Sequence, residues 1–338
     1  MRYISTLLII LVFLLGCTKQ TKTITERQKL ENFFKKQDVT ILVTDSGLGG
    51  LSIAADVYER MKKEGVFKKV RVVFFNAQPH KKSGYNSMKT TKQKVQVFNN
   101  ALVAMEKNFH PDILLIGCNT LSVLYDYTDF SKTADFPVIG IVKTGVDLIK
   151  KKLDENKNAR VIIFATKTTV KQNKHKTRLM ESGVPAEQII TQACPRLAGR
   201  IERGSHSDTT KNLVKKYVNK AIQKMPEGEE PLLVSYNCTH YGYVNDIFQE
   251  AFKEQKKQVV AYLDPNPFMA DFMFTDATTH RYPQSEVTIE VVSQPELSPG
   301  KLGSIYSLIE PVSPQTAEAL LDYQFKPDFF EWESIAGK

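Results

Sequence analysis

Twice in this chain an aliphatic run stops at a cysteine and continues in small hydrogen-bonding residues. Ile113-Leu114-Leu115-Ile116 leads into Gly117-Cys118-Asn119-Thr120, and Leu232-Leu233-Val234-Ser235-Tyr236 leads into Asn237-Cys238-Thr239-His240. A short continuous apolar run closed by polar residues is the mark of a buried parallel strand. Such a strand delivers side chains to the carboxyl edge of a sheet, where open α/β folds bind ligands. Two edges, each carrying a thiol, point to a pair of acid/base groups facing one substrate.

The rest of the sequence alternates strand and helix with short connections. Val39–Val43, Val70–Phe75, 113–116 and Pro137–Val142 read as strands, with helices over about 52–63, 87–108 and 145–153. This is the pattern of a doubly wound parallel sheet. A charged break at 154–158 marks a crossing between lobes. A second series follows, with strands at 160–165, 187–193, 232–236 and 259–264 and a helix over about 208–225. The strand-then-thiol element occurs once per half, which suggests pseudo-symmetric lobes. From about Thr275 the character changes: Val287–Val292 alternates like an edge strand, and Ser313-Pro314 opens a helix through Leu321. Tyr323, Phe325, Phe329, Phe330 and Trp332 then read as aromatics packed on the body.

The loop after the first strand, Asp45-Ser46-Gly47-Leu48-Gly49-Gly50, brings backbone close to whatever faces it. It contains neither G-x-G-x-x-G nor Gly-Lys-Ser/Thr, which argues against a nucleotide. No C-x-x-C or H-x-x-x-H cluster is present, so no metal is expected. The net charge is +9, but the lysines are scattered rather than interleaved with aromatics on one helix, so nucleic acid is not expected as a partner.

Met1-Arg2, the apolar stretch Ile4–Leu15 and Leu14-Leu15-Gly16-Cys17 describe an export signal too short to span a bilayer. The last four residues look like a bacterial lipobox, with Cys17 as the lipid-bearing first residue of the mature chain. The chain is then expected outside the cytoplasm, anchored to a membrane of the cell envelope. Three thiols remain, Cys118, Cys194 and Cys238. An odd number defeats complete pairing. Cys194, followed by Pro195, reads as a buried small hydrophobe.

These motifs, taken together and in order, resemble the aspartate/glutamate racemases, a family of cofactor-independent amino-acid racemases. Asp45-Ser46-Gly47-Leu48-Gly49-Gly50-Leu51 is similar to its opening D-S-G-x-G-G-L, and Cys118-Asn119-Thr120 to its first cysteine motif. Thr166 and Thr169, Cys194-Pro195 with Ile201-Glu202, and Cys238-Thr239-His240-Tyr241 resemble the segments that follow. The resemblance runs from about Val39 to Met273. It implies two pseudo-symmetric doubly wound parallel-sheet lobes with the active site in the cleft between them, plus a C-terminal extension. The corresponding division is a signal at 1–16, a tether at 17–38, a first lobe of 39–142 and 244–275, a second of 143–243, and an extension of 276–338.

The resemblance further implies that Cys118 and Cys238 are the two bases, one on each face of the substrate's α-carbon. Racemisation takes a proton from one face and returns one to the other, and a thiol, at an ordinary pKa of about 8.5, is closer to working pH than an amine or carboxylate. Asp45 would assist Cys118 and His240 would assist Cys238. Ser46, Asn119, Thr120 and Thr239 would hydrogen-bond an acidic amino acid, glutamate or aspartate. No cofactor is implied, and a homodimer is compatible with the reading. The chain departs from the pattern twice. Lys82-Ser83-Gly84-Tyr85-Asn86 stands where the family carries Pro-Tyr-Gly, and Lys143 stands where it carries a glutamate. Two other readings remain open: a lipid-anchored binding protein that keeps the site without catalysis, and another isomerisation or a decarboxylation at the same thiols. A Cys118–Cys238 disulfide would make the protein redox-gated.

Overall fold

Among the described residues the aliphatic and β-branched runs become ten strands in two sheets, and every strand pairing is parallel. The computed structural model describes residues 25–336 apart from 227 and 229. The signal segment and Cys17 lie outside the described residues.

The first sheet contains β1 (Asp38–Asp45), β2 (Lys69–Asn76), β3 (Ile113–Ile116) and β4 (Val138–Gly140). The second contains β5 (Arg160–Ala165), β6 (Ile189–Ala193), β7 (Leu232–Asn237) and β8 (Val259–Leu263). The second sheet runs β6-β5-β7-β8, and within the first the corresponding run is β2-β1-β3-β4. The two halves therefore repeat one winding. In each, the first strand is central and the chain steps to one side and then to the other. Such a reversal leaves a crevice at the carboxyl ends of the two strands that flank it. Here those strands are β1 and β3 in one lobe and β5 and β7 in the other.

The first sheet is extended beyond β2 by β9 (Glu286–Ser293) and β10 (Gln324–Phe325). β9 pairs with β2 along eight residues, from Lys69–Glu286 to Asn76–Ser293. β10 covers only its last two, so most of β9 keeps one free edge and the half-buried alternation of Val287 and Ile289. Residues 276–338 are thus no appendage, because they supply the outer strands of the first lobe. Two helices from this segment, Pro299–Ile309 and Pro314–Leu321, bury Ile305, Ile309, Ala317 and Leu320 against that lobe. Phe329 packs on Phe75 and Phe109 with ring centroids 4.5 and 5.5 Å apart, and Trp332 stacks on His80.

Two boundaries differ from the sequence reading. Residues 244–263 belong to the second lobe, not the first. The helix Asn245–Glu254 returns β8 beside β7, as a short crossover keeps the chain in the sheet it has just left. The chain enters the core of the first lobe again at Met269 and Met273, which are buried there. The segment read as a polar tether contains a helix, Glu26–Lys35, opened by a capping box between Thr25 and Gln28. Its one buried residue, Phe33, meets Phe67 edge-on at 5.0 Å, and Leu30 and Phe34 pack beside it, so a short apolar face at i, i+3 and i+4 docks the helix on the first lobe.

Candidate active site

Each lobe places its thiol just past a strand at its switch point. Cys118 follows β3 and Cys238 follows β7, at equivalent places in the shared strand order. Both are buried, at 5% and 6% exposure, and both are free cysteines, as is Cys194. β1 ends on Asp45, and the loop after it is the hinge of the arrangement.

Ser46 Oγ lies 3.0 Å from Cys118 Sγ. The Asp45 carboxylate accepts from Thr239 Oγ at 2.6 Å, beside Cys238. Two successive residues of the first lobe thus touch both thiol loops. Other bonds also join the lobes. Thr120 and Thr166 hydroxyls meet at 2.7 Å, and Leu48 N–H donates to Glu202 Oε1 at 2.9 Å. The glycines of the loop serve this closure. A Cβ on Gly47 would collide with the Glu202 carboxylate, and one on Gly49 with Thr239 and His240. Their close approach is to the second lobe rather than to a phosphate.

The two thiols have opposite electrostatic company. Burial pushes the Cys118 thiol well above its ordinary pKa, and the nearby Asp45 carboxylate raises it further, against hydrogen bonds to Ser46 and to backbone. Cys118 is therefore held as the neutral thiol. Cys238 Sγ faces His240 Nδ1 at 3.7 Å, and His240 Nε2 lies 2.9 Å from Glu202 Oε1. Burial disfavours a charged imidazole, but the hydrogen bonds to Cys238 and Glu202 and the Glu202 charge carry its pKa well above the ordinary value. Burial likewise works against the Glu202 anion and is outweighed by His240 and by Lys301, so its carboxyl stays far below the usual range. His240 and Glu202 form a buried imidazolium–carboxylate pair.

Asn119 and Thr120 are buried beside Cys118, as Thr239 is beside Cys238. His175 Nε2 donates to Asn119 Oδ1 at 3.1 Å. Burial lowers the His175 pKa to about 3, so the ring is neutral and serves as a fixed donor. That orients the Asn119 amide with Nδ2 unpartnered. Tyr85, from the loop that departs from Pro-Tyr-Gly, is buried with its hydroxyl unpartnered, and burial, with the charge of a Cys118 thiolate, raises its pKa well above the ordinary value. Buried donors without partners are costly unless a ligand or water completes them.

All eight residues singled out in the described part of the chain lie in this network: Cys118, Cys238, Asp45, His240, Ser46, Asn119, Thr120 and Thr239. Lys143 does not. Its exposed side chain pairs with Asp147 one turn on, so the charge change there is spent at the surface. Sequence reasoning quoted Glu202 without a role and passed over His175 and Lys301. Glu202 had a signal in its place eight residues after Cys194, whereas His175 and Lys301 sit in helices with no motif around them.

No family model matches the chain. It is 28% identical over 211 residues to a protein named glutamate racemase from Clostridium botulinum, spanning 61% of this chain and 72% of that one. It is 26% identical over 218 residues to one named glutamate racemase 3 from Caldanaerobacter subterraneus, spanning 64% and 72%. Among solved structures it is similar to a glutamate racemase of Francisella tularensis in complex with D-glutamate. The TM-score is 0.60 at 18% identity, covering 88% of this chain and 98% of that one. A Campylobacter jejuni glutamate racemase gives a TM-score of 0.57 at 21% identity, covering 80% and 97%.

Proposed function

We infer, for a chain that by sequence and fold falls in the aspartate/glutamate racemase family, a cofactor-independent amino-acid racemase whose substrate is glutamate. The observation that carries this reading is the double reach of Asp45-Ser46, one residue to each thiol loop. A binding protein needs a cavity and donors; it has no use for two buried thiols, each supplied with its own proton partner.

In the mechanism we propose, Cys118 and Cys238 address opposite faces of the α-carbon. A thiolate removes the α-proton and the opposite thiol returns one, so the configuration inverts while the proton count is unchanged. Cys118 acts with Asp45, whose carboxylate favours the protonated sulfur and so suits it to donate. Cys238 acts with His240, whose imidazolium N–H stabilises negative charge on sulfur as it forms. Asn119, Thr120 and Thr239 offer hydrogen bonds to the substrate carboxylate, and Ser46 with Asp45 to its ammonium. Apart from the half-buried Ser46 these groups are almost wholly buried, so substrate enters only when the lobes part.

The test is exchange of the α-proton of L- and D-glutamate in D₂O under reductant. We expect exchange with inversion in the wild type, and loss of inversion in both Cys118→Ser and Cys238→Ser. Binding of glutamate without exchange would replace this reading with a receptor. Aspartate, run in parallel, tests whether a shorter acid is also accepted. We also propose that Cys17 is lipidated and anchors the protein at the cell envelope. Mass spectrometry of the mature N-terminus checks this, and a Cys17→Ser chain that stays in the membrane fraction would refute it.

A further inference from the structure

The Glu202 carboxylate has a third partner, and it comes from the C-terminal segment. Lys301, in the helix Pro299–Ile309, places Nζ 2.6 Å from Glu202 Oε2, while Oε1 takes His240 and the Leu48 N–H. The Lys301 side chain is only 14% exposed, and its other hydrogen bond is a long one, 3.5 Å, to Gln78 Oε1. The helix that carries it is docked on the first lobe and reaches the second through Ser304 Oγ, which donates to the Ile201 carbonyl at 3.4 Å. Ile201 immediately precedes Glu202. The helix therefore holds the peptide that leads into Glu202 as well as the Glu202 carboxylate.

We propose that Lys301 is a positioning residue for the Cys238 side of the site. Resting on the racemase reading above, it would act through Glu202 on His240 and never touch substrate. The physical case is one of charge sharing. A buried carboxylate on Nε2 with no other cation would hold His240 too firmly as the imidazolium for its Nδ1 proton to pass to and from Cys238. An ammonium on the second oxygen takes part of the negative charge and fixes the carboxylate plane, so the Nε2 bond keeps its direction. The charged and titratable groups facing the pair are Glu202, Cys238, Lys301 and, through Thr239, Asp45. Cys118 has no contact with this triad, so the effect falls on one thiol. A neutral residue at 301 removes a cation near the imidazolium, and the His240 pKa then rises.

The experiment follows His240 directly, by NMR of its imidazole nitrogens across pH in the full chain, alongside steady-state kinetics with glutamate. In Lys301→Met we expect the His240 titration to move to higher pH by about half a unit or more. We expect kcat to fall about tenfold with KM within about twofold, a loss made in the chemical step rather than in binding. Lys301→Arg should return both readouts most of the way to wild type. Ser304→Ala loosens the same helix without touching the charge, and should lower the melting temperature while leaving the titration in place. If Lys301→Met does not fold, Lys301→Gln replaces it with the same expectation. A His240 titration that stays put in the folded variant overturns the proposal, as does an equal shift in Ser304→Ala. Because the titration needs no turnover, it judges Lys301 even if the wild type fails to exchange glutamate, which would count against the racemase reading alone.

Discussion

The two lobes repeat one strand order and put a cysteine at the same place in it, yet they surround that cysteine differently. Around Cys118 the nearest charge is a carboxylate, and the helpers, Asp45 and Ser46, come from the neighbouring strand of the same sheet. Around Cys238 the nearest charge is an imidazolium held by a carboxylate, and that carboxylate is held in turn by a lysine more than sixty residues further on. Repetition of a fold thus supplies position, and local side chains supply polarity. For a reaction that must both take and give a proton, two equivalent sites with opposite electrostatic bias are what the chemistry asks for.

Glu202→Gln attacks the difference most directly. It leaves His240 buried without its anion, and breaking a buried pair by removing one partner costs about 3–5 kcal/mol. We expect kcat to fall by about a hundredfold or more. The stability loss should itself depend on pH. Glu202, with its pKa lowered by folding, contributes above the unfolded value of about 4.3 and loses that contribution as pH falls through its folded value. His240, with its pKa raised, contributes below about 6.5 and loses it as pH rises through its folded value. The gap between wild type and variant, measured by urea unfolding, should be widest between about pH 4.3 and 6.5. A gap that does not change with pH would mean that the pair is not ionised in the fold.

Asp45→Asn sharpens the other side. Removing the carboxylate beside Cys118 lowers that thiol's pKa while burial keeps it raised, so the limb of the pH–rate profile set by Cys118 should move to lower pH by up to about one unit. Turnover should drop by about tenfold or more, since Asn cannot take up the proton. A limb that moves up instead would show that Cys118 is not the group titrating there.

The smallest effect is expected at His175, a second-lobe residue that supports a first-lobe one. His175→Leu strands the Asn119 carbonyl as well as its amide, at about 1–3 kcal/mol. We expect KM for glutamate to rise more than kcat falls. An unchanged KM would remove Asn119 from the substrate's contacts.

Much of this was legible because it is local. A strand, a cysteine and two polar residues are neighbours in sequence, and the tight loop at Gly47 and Gly49 announces itself as a string of small residues. What could not be read depends on pairings across long separations. Nothing near Val259 says that its strand returns to β7, and nothing near Glu286 says that its partner is β2, 217 residues earlier. Phe33 docks a helix whose apolar face is only Leu30, Phe33 and Phe34, too short to stand out among its charged neighbours until Phe67 meets it. Lys301 is a lysine among 46 basic residues, distinguished only by what the fold brings beside it.

That β9 lies against β2 has a consequence for the order of assembly. β2 is synthesised long before β9 and presents an unpaired edge eight residues long until residues 286–293 have been made. The missing neighbour then arrives from 217 residues further on, at an entropic cost of loop closure. Six residues beyond the end of β9 begins the helix that bears Lys301. A chain that stops short of residue 286 therefore has neither a finished first sheet nor the Lys301 contact to Glu202, and the full charge triad waits on that segment.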